Sequence, residues 1–180
     1  MFYGSSITHG ACASRPGLIY PSIISRKLDC DITNLGFSGS AKGQKEMAEH
    51  IAGLEMSAFV MDYDHNAPNA EHLLDTHYNF YKIIRDAKPT TPIIIVTKPD
   101  GKFDCPSISL RRDAIYKTYA KAISDGDRNV YFIDGMSLFD PEIRNDCTTD
   151  GCHPNDLGFM GMAKGIGEVL RVALTRAGDL

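Results

Sequence analysis

Two short stretches at opposite ends of the chain carry residue types that could act together on a carbonyl group. Near the start, Gly4-Ser5-Ser6-Ile7-Thr8-His9-Gly10 places paired hydroxyls between glycines, directly after the apolar Met1 to Tyr3. Near the end, Asp150-Gly151-Cys152-His153-Pro154 places an acid three residues ahead of a histidine. A serine hydroxyl is a poor nucleophile until a base takes its proton, and imidazole, with an unperturbed pKa of about 6.5, suits that task. The imidazole needs its second nitrogen held, and a carboxylate three residues away on one loop can reach it and stabilise the imidazolium. Each stretch alone reads as an ordinary turn, because Ser, Gly and Asp fill turns for conformational reasons. Either Ser5 or Ser6 could be the reactive hydroxyl, and His9 is a rival base or a pocket residue.

The elements between must bring these ends together. Apolar residues at 19, 20, 23, 24 and 28 predict a helix over 18–28, with Pro21 tolerable only in its first turn. Ile32 to Leu35 predicts a short strand, followed by the turn Gly36-Phe37-Ser38-Gly39-Ser40, and Met47, Ala48, Ile51 and Leu54 mark one face of the next helix. Ala58 to Met61 is continuously apolar, as a strand covered on both faces should be, and runs into Asp62-Tyr63-Asp64-His65-Asn66. A helix over about 71–87 carries Leu73, Leu74, His77, Tyr81 and Ile84 on one side, and Pro89 closes it. The β-branched run Ile93 to Val96 predicts the fourth strand. After a loop over 98–106, Ser107 or Ser109 caps a helix reaching Ile123, and Val130 to Ile133 is the fifth strand. The last helix, from about Asn155 to Thr175, should turn Leu157, Ala163, Ile166, Leu170 and Leu174 inward. Its Gly158, Gly161 and Gly165 should form one face, letting the backbone pack closely on the sheet.

Five alternations of strand and helix predict a three-layer α/β/α fold. Its five-stranded parallel sheet should be wound right-handedly in the flavodoxin-like order 2-1-3-4-5. That order makes the first strand central and puts the Ser6 turn, Gly39, Asn66 and Asp150-His153 at one sheet edge, where open α/β folds place ligands. A central strand with only Met1 to Tyr3 ahead of Gly4 is short for its place, so further strand residues are expected upstream.

The blocks GSSITHG, NLGFSG, DYDHN and DGCHP, in this order, resemble the four motif blocks of the SGNH hydrolases, also called the GDSL esterase/lipase family. The resemblance implies that Ser6 is the nucleophile, His153 the base and Asp150 its acid. It also implies an oxyanion hole made by the N–H groups of Ser6 and Gly39 and the side-chain amide of Asn66. Gly36 competes with Gly39, but is better placed to end its strand. Two residues depart from the family pattern: Ser5 stands where an acid is usual, and His65 where a glycine commonly precedes the asparagine. Both bear on the pocket wall, for which His9, His65 and Lys98 are candidates. Lys98 and Arg15 could meet an anionic substrate group, although lone cations at loop starts are usually solvated. The longer string YGSSITHGACASRPG is most similar to a branch whose catalytic domain often follows a separate β-domain. An upstream segment would leave a secreted or periplasmic location open.

Composition excludes more than it assigns. At 180 residues with 43% apolar, the chain suffices for one well-buried domain, here 1–180. The net charge of −4 and the lack of a basic stripe disfavour nucleic acid, and no apolar run reaches membrane-spanning length. Five cysteines at irregular spacings indicate neither a zinc site nor a disulfide framework, and Asp62, Asp64, His65 and His9 match no strong metal motif. No cofactor or metal is therefore expected. The expected partner is a small acyl ester, possibly of a carbohydrate, hydrolysed through an acyl-enzyme. An acyltransferase using the same residues is the alternative, and a catalytically silent binding domain a weaker one.

Overall fold

The computed structural model describes residues 1–99 and 106–180. Five parallel strands, β1 (Phe2–Gly4), β2 (Asn34–Gly36), β3 (Phe59–Asp62), β4 (Ile93–Val96) and β5 (Val130–Ile133), form one sheet in the order β2-β1-β3-β4-β5. β4 and β5 have the bounds expected of them, and β3 lies one residue later than the apolar run. β2 begins at Asn34, because Asn34 Oδ1 accepts the Gly36 N–H at 3.0 Å while its amide donates to Thr8 O at 2.8 Å. Although β1 is short, it is paired on both sides: Phe2 N–H donates to Thr33 O and Val60 N–H to Met1 O, each at 2.9 Å.

Alternation along the strands divides the core into two layers. Phe2, Val60, Ile94, Val96 and Ile133 face α2 (Tyr20–Leu28) and α6 (Asp156–Ala177). Tyr3, Phe59, Met61, Ile93, Ile95 and Val130 face α3 (Lys45–Ala52), α4 (Ala70–Ala87) and α5 (Pro106–Ser124). Side chains covered on both faces explain why the central strands read as unbroken apolar runs.

The largest departure is at the start. The residues after β1 form a one-turn helix, α1 (Ser6–His9), rather than a loop, with Ser5 Oγ accepting the Ile7 N–H at 3.1 Å as its cap. Four residues are too few to show helical periodicity in a sequence. α5 begins at Pro106, so Ser107 lies inside it and neither Ser107 nor Ser109 is the cap; most of the expected loop 98–106 lies outside the described residues. Two residues expected inward point out: Leu74 is 50% exposed and Leu157 44% exposed. Leu157 sits in the first turn of α6, where Asn155 Oδ1 accepts its N–H and that of Gly158, and the inward positions go to Gly158 and Phe159.

The glycines of α6 do share a face, but its neighbour is the segment 138–147 and not the sheet. A Cβ on Gly158 would stand 2.2 Å from Cys147 O, one on Gly161 2.4 Å from Leu138 O, and one on Gly165 2.5 Å from Leu138 Cδ2. This close approach pulls the strand-to-helix connection down onto α6 and so fixes the loop that carries Asp150 and His153. Gly158→Ala is expected to destabilise the fold by about 1–3 kcal/mol through overpacking against a carbonyl. Gly167→Ala, whose Cβ would meet only Ile24 Cγ1 at 3.4 Å, should instead stabilise by up to about 1 kcal/mol from helix propensity. Urea midpoints of the two variants check both signs.

Candidate active site

α1 is seated on the carboxyl end of the central strand by a buried polar cluster. Thr8 Oγ1 donates to Asp62 Oδ2 at 3.1 Å, and the Tyr20 hydroxyl donates to the same oxygen at 3.0 Å while lying 3.2 Å from Thr8 Oγ1. All three residues are buried. Gly4 permits this, since a Cβ there would stand 2.0 Å from Thr8 Oγ1 and 2.4 Å from Asp62 O. Gly36, opposite Gly4 in the sheet, is equally confined, its added Cβ falling 2.2 Å from His9 N. Burial pushes the Asp62 carboxyl up from 3.8 to about 7, with the Tyr20 and Thr8 hydroxyls pulling against it and Asp64 adding to it. Its Oδ1 has no hydrogen-bond partner among the described residues.

Ser6, the first residue of α1, presents its hydroxyl at the sheet edge, with Oγ 3.0 Å from His153 Nε2. His153 Nδ1 lies 2.7 Å from Asp150 Oδ2. Asp150 Oδ1 accepts the N–H groups of His153 at 2.7 Å and Cys152 at 2.9 Å, and these bonds, led by the His153 backbone, hold its carboxyl well below the usual carboxylate range. An ionised Asp150 fixes the proton on Nδ1 and leaves Nε2 to accept from the Ser6 hydroxyl. The loop is closed on itself: Asn155 N–H donates to Cys147 O at 3.0 Å, Thr149 N–H to His153 O at 3.0 Å, and the Asn155 amide to Asp146 O at 2.7 Å.

Two further loops reach the same edge. Gly39, with φ at +71°, follows β2, and its N–H and that of Ser6 donate to no group among the described residues. Asn66 Oδ1 accepts the Ala41 N–H at 3.2 Å, which ties the two loops together and turns the amide nitrogen away from that bond. The Asn66 loop is anchored from below by Asp64, almost fully buried, whose Oδ1 accepts from Arg111 Nε at 2.8 Å and whose Oδ2 accepts the Lys98 N–H at 2.9 Å. Arg111 also donates to the carbonyls of Asp64 and Ala67. Sequence reasoning missed Arg111, Thr8 and Tyr20 altogether, and read Asp62 and Asp64 only as a weak metal pattern. Among the described residues no group of three His, Cys, Asp or Glu side chains is placed to hold a metal ion.

The proposed pocket residues are not together. His9 lines a cleft with Ser6, whereas His65 Nδ1 lies 3.7 Å from Cys152 Sγ beside the His153 loop, and Lys98 is held through its backbone by Asp64. Among the described residues no helix is long and apolar enough to cross a membrane.

A serine, histidine and aspartate in one hydrogen-bonded line at the carboxyl edge of a parallel sheet is an arrangement that serine hydrolases share across unrelated folds. A profile of the GDSL-like Lipase/Acylhydrolase family matches residues 1–171, and the chain belongs to that family of ester hydrolases. Among solved structures, a GDSL-like lipase from Bacteroides ovatus is 35% identical with a TM-score of 0.86, over 97% of this chain and 52% of its own. The salicylyl-acyltransferase SsfX3 of a tetracycline biosynthetic pathway is 23% identical with a TM-score of 0.79, over 99% of this chain and 54% of its own. A family two carbohydrate esterase from Clostridium thermocellum is 15% identical with a TM-score of 0.74, over 99% of this chain and 64% of its own. The chain thus spans about half to two thirds of the length of these three structures. No curated protein sequence matches it.

The Asp62 cluster has a consequence for stability. The folded carboxyl keeps its proton up to about pH 7, whereas the unfolded one releases it near 3.8. Between those values the folded state binds more protons, so raising the pH through this window costs stability, by a few kcal/mol in all. Asp62→Asn, neutral at every pH, is expected to lose that slope. Urea midpoints of both proteins measured from pH 4 to pH 8 check this, and parallel curves would contradict it.

Proposed function

We propose that the chain is a serine esterase that forms an acyl-enzyme on Ser6 and cleaves small acyl esters of a sugar or similar polar alcohol, with residues 1–180 as one catalytic domain. The observation that carries this reading is the Ser6, His153 and Asp150 line, with its separations of 3.0 and 2.7 Å. Ser6 Oγ attacks the ester carbonyl as His153 Nε2 takes its proton, and Asp150 holds the imidazolium that results. The oxyanion is received by the N–H groups of Ser6 and Gly39 and the Asn66 amide, three donors fixed before the reaction begins. His153 then gives its proton to the leaving alcohol, and a water deprotonated by the same nitrogen releases the acid. His65 and His9 form parts of the pocket wall in this reading, and Lys98, whose N–H is held by Asp64, contributes through the loop it anchors.

Hydrolysis is favoured over transfer to an acceptor because water reaches the base: the His153 and Asp150 side chains are 30% and 51% exposed. The carbohydrate alcohol is suggested by the likeness to the carbohydrate esterase. The acyltransferase of the same fold keeps transfer as the second reading.

Hydrolysis of p-nitrophenyl acetate tests the assignment. Ser6→Ala is expected to abolish turnover while the fold persists. Ser5→Ala should keep most activity and lose about 1 kcal/mol of stability with its helix cap; exchanged effects would move the nucleophile to Ser5. Asn66→Ala should lose about 2.7–4 kcal/mol of transition-state stabilisation, seen in kcat, as for one oxyanion donor. A loss confined to KM would make Asn66 a substrate-binding residue.

A further inference from the structure

A cleft of about 640 Å³ opens from Ser6 along the flank between α1, the segment 10–19 and Ser38. In a chain of net charge −4 its wall holds two basic side chains, His9 and Arg15, and no acidic one. Ala11, Ala13, Pro16 and Ile19 supply the apolar remainder.

The wall is built rather than loose. Ser14 donates to Asp156 through its N–H (2.9 Å) and its hydroxyl (2.6 Å), which fastens the segment to the first turn of α6. On the other side of Arg15, Pro16 opens a short 3₁₀ turn over Pro16–Leu18 and confines Arg15 to its observed extended backbone, φ −161° and ψ 156°. Arg15 is thereby held at its Cα between two fixed neighbours. Its guanidinium donates no hydrogen bond among the described residues; the nearby carboxylate of Asp156 feels its positive charge but spends its hydrogen bonds on Ser14, which leaves the guanidinium N–H donors for a ligand.

Building on the esterase reading, we infer that this cleft binds a carboxylate-bearing portion of the ester, with Arg15 as the specificity-determining residue. A guanidinium offers a carboxylate two parallel N–H donors, a geometry an ammonium cannot copy, and His9 adds a ring donor across the cleft. Apolar surface from Ile19 and Pro16 then accommodates the carbon chain or ring between the carboxylate and the scissile bond. The charge can sit on the acyl side or on the alcohol side of the ester, and the two are separable by choice of substrate.

The test uses two matched pairs of esters on the wild-type chain, Arg15→Gln and Arg15→Lys. p-Nitrophenyl hemisuccinate against p-nitrophenyl butyrate places the charge on the acyl group, and 4-acetoxybenzoate against its methyl ester places it on the alcohol. In one pair the wild type should prefer the charged member, and Arg15→Gln should lower that ratio of kcat/KM about tenfold, mainly through KM, as expected for one charged hydrogen-bonded contact. Arg15→Lys should recover part of the preference, and added salt should weaken it. Equal ratios in wild type and Arg15→Gln for both pairs would overturn the inference while leaving the esterase reading intact. If no ester of either kind is hydrolysed, the esterase reading has failed. The cleft is then judged by calorimetric binding of two non-hydrolysable amides, succinanilate and 4-acetamidobenzoate, to the Ser6→Ala chain: about tenfold weaker binding of either one with Arg15→Gln supports the inference, and unchanged affinities for both overturn it.

Discussion

The site depends on how a single helical turn is seated on the end of a three-residue strand. Thr8 and Tyr20 converge on one oxygen of Asp62, a carboxyl buried at the end of β3, and glycine at position 4 leaves the space for them to do so. Because Ser6 lies two residues from Thr8 in the same turn, this contact helps to fix the backbone that carries Ser6, whose hydroxyl meets His153 Nε2 at 3.0 Å. A buried carboxyl with an unpartnered oxygen is costly, and burial shifts its titration toward neutrality. The fold tolerates this group at the point where the Ser6 turn has to be fixed.

Two aspartates separated by one residue meet different solutions to the same burial problem. Asp62 is surrounded by hydroxyls and is pushed toward its neutral form. Asp64 is met by the Arg111 guanidinium and the Lys98 N–H. Removing one member of such a buried ion pair typically costs about 3–5 kcal/mol, because the other charge is left uncompensated. One carboxyl therefore supports the serine turn from beneath, and the other supports the loop carrying Asn66. The His153 loop is held differently, by its own carboxylate and by the glycine face of α6.

The sheet order and the edge that gathers the candidate residues were legible in the sequence because they follow from the alternation of apolar runs and helical patterns. β4 and β5 were readable to the residue, being β-branched or aromatic runs between polar breaks. β2 was misplaced because its register is set by the Asn34 side chain rather than by hydrophobicity. Ser6, His153 and Asp150 were found from residue types, motif order and family resemblance, and the structure brings them into one line. Thr8, Tyr20 and Arg111 were not found, since Thr8 reads as one more hydroxyl of the serine turn, Tyr20 as an apolar position of its helix, and an arginine in a helix as solvated. Leu74 and Leu157 were turned inward because a periodic pattern tolerates one residue too many on its edge, and only packing removes it.

The central claim is that Ser6 is the nucleophile and that the donors of three separate loops meet at one oxyanion position. Reaction with a fluorophosphonate, followed by peptide mapping and a crystal structure of the adduct, tests both parts at once. The account predicts a single adduct on Ser6 Oγ whose phosphonyl oxygen lies within hydrogen-bond reach of Ser6 N, Gly39 N and Asn66 Nδ2. An adduct on Ser5 or Cys152, or one on Ser6 with the phosphonyl oxygen turned away from Gly39 and Asn66, would contradict it.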